Sequence, residues 1–282
     1  MKQPDVWSGF ARNLVATGKH PHFAPSEEIL AIVRERLAAF VAERGKACLA
    51  VILGATPELA DIALAAGCRV VRIDSNPAMF EAAAGRQAVA DRNGETIAIG
   101  DWLDMQGIRD GEADIVLGDS SLNNVSHEDM PRMLTELARI TRPGSMLALR
   151  QIVLAERPCP EYDFPAALAA FREARITADD FHRRLRFYSF NAAAYDPALR
   201  ILDAHRVFAE IRRKRTEGAL NETEFEFLIT RCSEIRHTVY GCAEQQRLFE
   251  TLGACEAIPA GLADSARDLF KVFVIHVGPE RP

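Results

Sequence analysis

The feature that most constrains this chain is a change of hydrophobic period near residue 48. Residues 7–46 read as helical, and within them Ser26–Gly45 repeats apolar residues every three or four positions. Ser26 is the expected N-cap and Gly45 the expected stop. At Cys48-Leu-Ala-Val-Ile-Leu53 the run becomes continuously apolar, which suits a strand covered on both faces. Gly54-Ala-Thr-Pro-Glu-Leu follows. Thr56 is placed to cap a helix, Pro57 fits its first position, and Gly67 can end it. Further strands are expected at 69–74, 96–100, 113–118 and 146–154, with helices at 77–89 and 127–141. Strict alternation of this kind predicts a doubly wound, Rossmann-like α/β sheet.

The alternation stops near residue 158. Residues 160–240 read as continuously helical with no strand candidate, and seven of the chain's 21 aromatic residues fall in 162–190. A helix at 245–252 and strands at 254–258 and 269–277 close the chain, the short link favouring an antiparallel pair. The 282 residues allow one large domain or two small ones. The pattern favours one sheet, in segments 47–158 and 241–282, preceded by a helical cap (1–46) and interrupted by a helical insertion (159–240).

Composition narrows the function. At 48% apolar and 26% charged the chain is neither disordered, collagen-like nor a coiled coil. Its net charge of −6 argues against a general nucleic-acid binder. No apolar run approaches the ~18 residues of a membrane span, and Met1-Lys-Gln-Pro-Asp-Val-Trp lacks a signal pattern, so a cytoplasmic location is expected. The six cysteines, Cys48, Cys68, Cys159, Cys232, Cys242 and Cys255, show neither C-x-x-C spacing nor a companion His pair. They read as free thiols, with no metal site expected.

The first strand, turn and helix offer free backbone N–H groups at a strand's carboxyl end, where α/β sheets bind ligands. Gly54 permits close approach, and Asp74, 20 residues on, ends the second strand, where a carboxylate can accept both hydrogen bonds of a ribose diol. A dinucleotide or S-adenosylmethionine fits so far. A dinucleotide calls for Gly-x-Gly-x-x-Gly, and this turn has one glycine. Gly100-Asp101-Trp102 after the third strand pairs an acidic group with a flat side chain, as adenine requires. Leu134 to Leu149 is a helix, a Pro-Gly turn and a strand.

In these segments the sequence resembles the class I S-adenosylmethionine-dependent methyltransferases of bacterial, small-molecule type, over about 48–154 and again over 242–278. The Arg-Ile-Thr-Arg-Pro-Gly-Ser turn, Gly-Asp-Trp-Leu-Asp and Val-Leu-Gly-Asp-Ser-Ser-Leu-Asn carry the likeness. The resemblance implies a seven-stranded sheet ending in a reversed hairpin, S-adenosyl-L-methionine as cofactor, and a helical insertion (159–240) that serves as a substrate lid. By position it puts Gly54, with Ala55 and Thr56, under the methionine part, Asp74 and Ser75 at the ribose, Asp101 and Trp102 at adenine, and Asp119 at the methionine end. The chain departs from the pattern in three places. Ile52 stands where an acidic residue is usual, and Thr56 and Glu58 replace the second and third glycines.

The expected reaction is in-line methyl transfer to O, N or S of a small molecule, with a general base only where the nucleophile is protonated. His127, after the fourth strand, is the candidate base, or else part of the next helix's first turn with Ser126 as N-cap. Substrate candidates are Arg150 on the fifth strand and His182 and Tyr188 in the basic, aromatic run 181–190. That run reads equally as an amphipathic packing helix. Arg212-Arg-Lys-Arg215 reads as a solvated helix face. Trp7 and Phe10 are placed to close the pocket, to join the core or to form the surface of a homodimer. The alternatives to a methyltransferase are a non-catalytic S-adenosylmethionine-binding protein and a nicotinamide-dependent oxidoreductase.

Overall fold

The computed structural model describes residues 7–9, 11–12, 24–45, 47–155, 162–231, 235–260 and 268–278. Phe10, Cys159 and Cys232 lie outside them. Helix α1 (Glu27–Arg44) starts at Ser26, whose hydroxyl accepts from the Ile29 N–H at 3.4 Å, and stops at Gly45. Its buried stripe of Ile29, Val33, Leu37 and Phe40 lies on one face of a central sheet.

That sheet contains β1 (Leu49–Leu53), β2 (Arg69–Asp74), β3 (Glu95–Ile99), β4 (Ala113–Asp119) and β5 (Thr141–Leu154), then the C-terminal β10 (Gly253–Pro259) and β11 (Phe270–Val277). The seven run in the order β3-β2-β1-β4-β5-β11-β10. β1 to β5 pair in parallel, while β11 lies antiparallel to β5 and β10 antiparallel to β11. The chain therefore reverses direction across the sheet between β1 and β4, and ligands bind α/β sheets at such a switch point.

The unbroken apolar run of β1 has a direct cause. Ala50 and Ile52 enter the core beneath α1 and α2 (Pro57–Ala65), while Leu49, Val51 and Leu53 enter the opposite core beneath α4 (Met130–Ile140) and α10 (Cys242–Phe249). Alternate side chains of a strand point to opposite faces, so both sets must be apolar when both faces are covered.

Two expectations need correction. The Pro-Gly stretch is not a turn preceding the strand. β5 begins at Thr141, paired with Ala113, and resumes pairing at Met146 opposite Ile115, so residues 142–145 form a bulge with Gly144 at φ 82°. The insertion is not purely helical. Between its helices α5 (Phe164–Arg172), α6 (Ala178–Arg184), α7 (Asn191–Ala194), α8 (Ala204–Thr216) and α9 (Glu222–Arg231) lies a small antiparallel sheet. Its strands are β6 (Tyr195–Asp196), β7 (Ile201–Leu202) and β8 (His237–Thr238). Strands of two residues are too short to show a period of two, so the sequence pattern hides them.

The insertion has its own apolar core, which includes Phe181, Leu185, Phe190, Val207 and Leu228 and reaches Ile152 and Phe270 of the sheet. Asn123 pins it down. Its side-chain amide donates to the carbonyls of Ile152 (3.0 Å) and Thr238 (2.8 Å) and accepts from the Ile152 N–H (2.9 Å). The short strand β9 (Tyr240–Gly241) then pairs with the end of β5.

Candidate cofactor site

A cavity of about 300 Å³ opens at the carboxyl ends of β1, β2 and β4. Gly54 begins its floor. The φ of 108° there is one that side-chain-bearing residues rarely adopt, and an added Cβ would sit 3.6 Å from the Trp102 ring and 3.8 Å from Asp74 Oδ2. The Ile73 carbonyl accepts from both the Gly54 N–H (2.8 Å) and the Trp102 indole N–H (2.7 Å). One backbone oxygen thus fixes the glycine turn and the indole together, leaving the ring surface to line the cavity.

Asp74 ends β2 beside Ser75, and both line the cavity. Its Oδ1 accepts from the Asn76 N–H at 2.9 Å. Burial pushes the Asp74 carboxyl up to about 6, against the hydrogen bonds from the Asn76 and Ser75 backbone. Asp101 and Trp102 also line the cavity, with the Asp101 side chain accepting from the Leu103 N–H. Ala55 and Thr56 line the wall at the start of α2, where the Thr56 hydroxyl makes no capping bond.

Asp119 closes β4 with its carboxylate 2.7 Å from the Arg150 guanidinium, directly across the β4–β5 pair. Burial pushes the Asp119 carboxyl up, and Arg150 draws it back. Arg150 lies behind Asp119, its guanidinium 4.5 Å from the Phe270 ring centre, and is not among the lining residues. The structure also places the other three substrate-side candidates away from the lining. His127 is exposed, with Nδ1 2.9 Å from the Tyr240 hydroxyl. His182 is buried on α6, and Tyr188 packs edge-on against Tyr162. Nor is Ser126 the N-cap of α4. It exchanges hydrogen bonds with Asp129 before the helix begins.

The cavity also has walls that sequence reasoning missed. Ser120, at φ 55°, is nine-tenths buried with an unpartnered hydroxyl, and the Asn124 amide oxygen is likewise buried without a partner. Both line the cavity. A non-glycine residue held at positive φ costs of order 1–3 kcal/mol, and such strain clusters at ligand sites. Arg86, Ile152 and His237 complete the lining used below, and Trp7 also reaches it. Burial lowers the His237 pKa well below the usual histidine range, with Arg186 and Arg150 acting in the same direction. The signal for His237 lay in no motif, because it reaches the cavity only through the folding of the insertion. No group of three or more His, Cys, Asp or Glu among the described residues could hold a metal ion.

The donor set fits S-adenosylmethionine. A carboxylate at the end of β2 suits a ribose diol, an indole beside Asp101 suits adenine, and orphaned buried oxygens await polar ligand groups.

Residues 53–149, about a third of the chain, match the family model described as a methyltransferase domain. No curated protein matches the chain. Among solved structures, a Rhodobacter sphaeroides protein described as a zinc-dependent alcohol dehydrogenase is 16% identical with a TM-score of 0.56, over 98% of this chain and 97% of that one. A Thermobifida fusca protein described as a methyltransferase is 13% identical with a TM-score of 0.49, over 89% of this chain and 80% of that one. At such identity the first likeness shows the fold alone. The methyltransferase match runs from the last residue of β1 into β5 and includes Gly54, Asp74, Trp102 and Asp119 of the cavity lining. Residues 53–149 therefore match a methyltransferase domain, and the residues lining the cavity suit S-adenosyl-L-methionine as its cofactor.

Proposed function

We propose that this chain transfers the methyl group of S-adenosylmethionine to a small molecule held between the sheet and the 162–241 insertion. The observation that carries this reading is the composition of one cavity. One end is built from the strand tips, with Gly54, Asp74 and Trp102, and the other is bounded by Ile152 and by His237 of the insertion. An acceptor that reached the second end would face a methyl group presented from the first.

The cofactor supplies an electrophilic methyl on a positively charged sulfur. The chain's own work is to align and to exclude water. Asp74 would accept from the ribose hydroxyls, the Trp102 ring would cover the adenine, and Asp119 would face the positive end of the methionine portion. Burial keeps His237 uncharged near neutral pH, so it would orient a polar acceptor without adding charge. His127, tied to the Tyr240 hydroxyl outside the lining, would support the wall and would not act as base. The size of the cavity and the net charge of −6 favour a small acceptor over nucleic acid. Among the described residues no helix is long and apolar enough to cross a membrane. The free thiols of Cys68 and Cys255 suit the cytoplasm.

The test is calorimetry with S-adenosylmethionine, S-adenosylhomocysteine and NAD, followed by turnover against a panel of hydroxyl, amine and thiol acceptors. Binding of the first two, with S-adenosylhomocysteine released for at least one acceptor class, is the expected result. Binding without turnover across the panel would favour a non-catalytic binding protein.

A further inference from the structure

The glycine turn of this chain leaves the cofactor's amino-acid end without its usual holder, because Thr56 and Glu58 stand where the family's further glycines would be. The replacement for the second of these is not inert. Glu58, in the first turn of α2, accepts from Arg86 Nε at 2.9 Å, and both side chains are largely buried. Arg86 reaches this position from just beyond α3 (Pro77–Ala84), and it lines the cavity. Its two terminal nitrogens have no acceptor among the described residues. Both Glu58 and Arg86 lie near enough to Asp119 to act on its carboxyl, Glu58 raising its pKa and Arg86 lowering it. Asp119, Arg86 and Thr56 therefore line one cavity with opposite charges in it, next to the orphaned Ser120 hydroxyl.

We infer that Arg86, held in place by Glu58, binds the α-carboxylate of the cofactor's methionine end, while Asp119 takes the α-ammonium. A zwitterion needs a cation and an anion at a fixed separation. A guanidinium with one edge occupied by Glu58 presents its other edge in a fork suited to a carboxylate. Glu58 is a positioning residue and Arg86 a binding one. The departure from the glycine pattern then exchanges a backbone cradle for a side-chain clamp. This inference rests on S-adenosylmethionine occupying the cavity.

The test compares two probes that share the nucleoside and the thioether. S-adenosylhomocysteine carries the amino-acid end, and 5′-methylthioadenosine lacks it. Arg86→Gln is expected to weaken S-adenosylhomocysteine by about 10- to 100-fold, as for loss of a charged hydrogen-bonding group, with 5′-methylthioadenosine affinity unchanged. Arg86→Lys should recover part of the loss, and Glu58→Gln should reduce the preference for S-adenosylhomocysteine without moving 5′-methylthioadenosine. A purely structural role would weaken both probes together, and that result, or no change in either, overturns the inference. If the wild-type chain binds neither probe, the cofactor reading fails and takes this inference with it. If it binds 5′-methylthioadenosine and shows no preference for S-adenosylhomocysteine, the inference alone fails.

Discussion

The two ends of the cavity are built differently. The cofactor end is assembled from strand termini, Gly54 after β1, Asp74 on β2 and Asp119 on β4, each fixed by a parallel ladder and by short backbone bonds such as Gly54 to Ile73. The acceptor end depends on a segment more than 100 residues away in sequence, His237, brought back by β8 and by the Asn123 bridge between Ile152 and Thr238. Local geometry is enough for the first end. The second exists only when the whole insertion has folded onto the sheet.

The largest effect that would break this contrast is expected from Gly54→Val. The positive φ strains any side chain, and the new atoms fill the space between Trp102 and Asp74. Cofactor binding should be lost in calorimetry while the far-ultraviolet circular dichroism stays native. Retained affinity would show that the turn is not the floor of the site.

Next comes Asn123→Ala, which removes three buried hydrogen bonds and leaves their backbone partners unpaired. It should destabilise the protein by roughly 2–4 kcal/mol in denaturant unfolding. It should also raise hydrogen exchange in 235–241 more than in β1 or β2. Equal exchange in both regions would contradict their separate construction.

Asp74→Ala should weaken S-adenosylhomocysteine by roughly 1–3 kcal/mol through the loss of the ribose acceptor. A smaller effect sharpens the same point. With its pKa raised to about 6, Asp74 favours the ligand-free fold when protonated. That contribution is fully present below about pH 4 and is lost as pH rises through about 6. Ribose hydroxyls donate to the ionised form, so cofactor affinity runs the other way, level above about pH 6 and falling as pH drops below it. The thermal shift produced by S-adenosylhomocysteine should therefore grow between pH 5 and 7, and Asp74→Asn should flatten that dependence.

Legibility in the sequence followed the same division. Gly54, Asp74 and Trp102 could be read because each is one step from a strand whose apolar pattern is strong. The reversed hairpin could be read from two runs joined by a short link. The substrate-side choices fared differently for a physical reason. His127, Arg150, His182 and Tyr188 were chosen by chemistry and nearness to strands, and nothing in a helical period says which turn of an insertion faces a cavity. The structure turns His182 and Tyr188 into the insertion's own packing and sets Arg150 behind Asp119. His237 and Arg86, in contrast, carry no motif.

By itself the sequence determined the sheet and which polar residues stand at its strand ends. Period and strand-end chemistry are local, and a parallel strand buried on both faces has few ways to be arranged. Only the tertiary structure decided the His237 end of the cavity, the small β6-β7-β8 sheet and the Glu58–Arg86 pair. Each depends on contacts between segments distant in the chain, whose free energy comes from burial and hydrogen bonding across space and leaves no periodic trace.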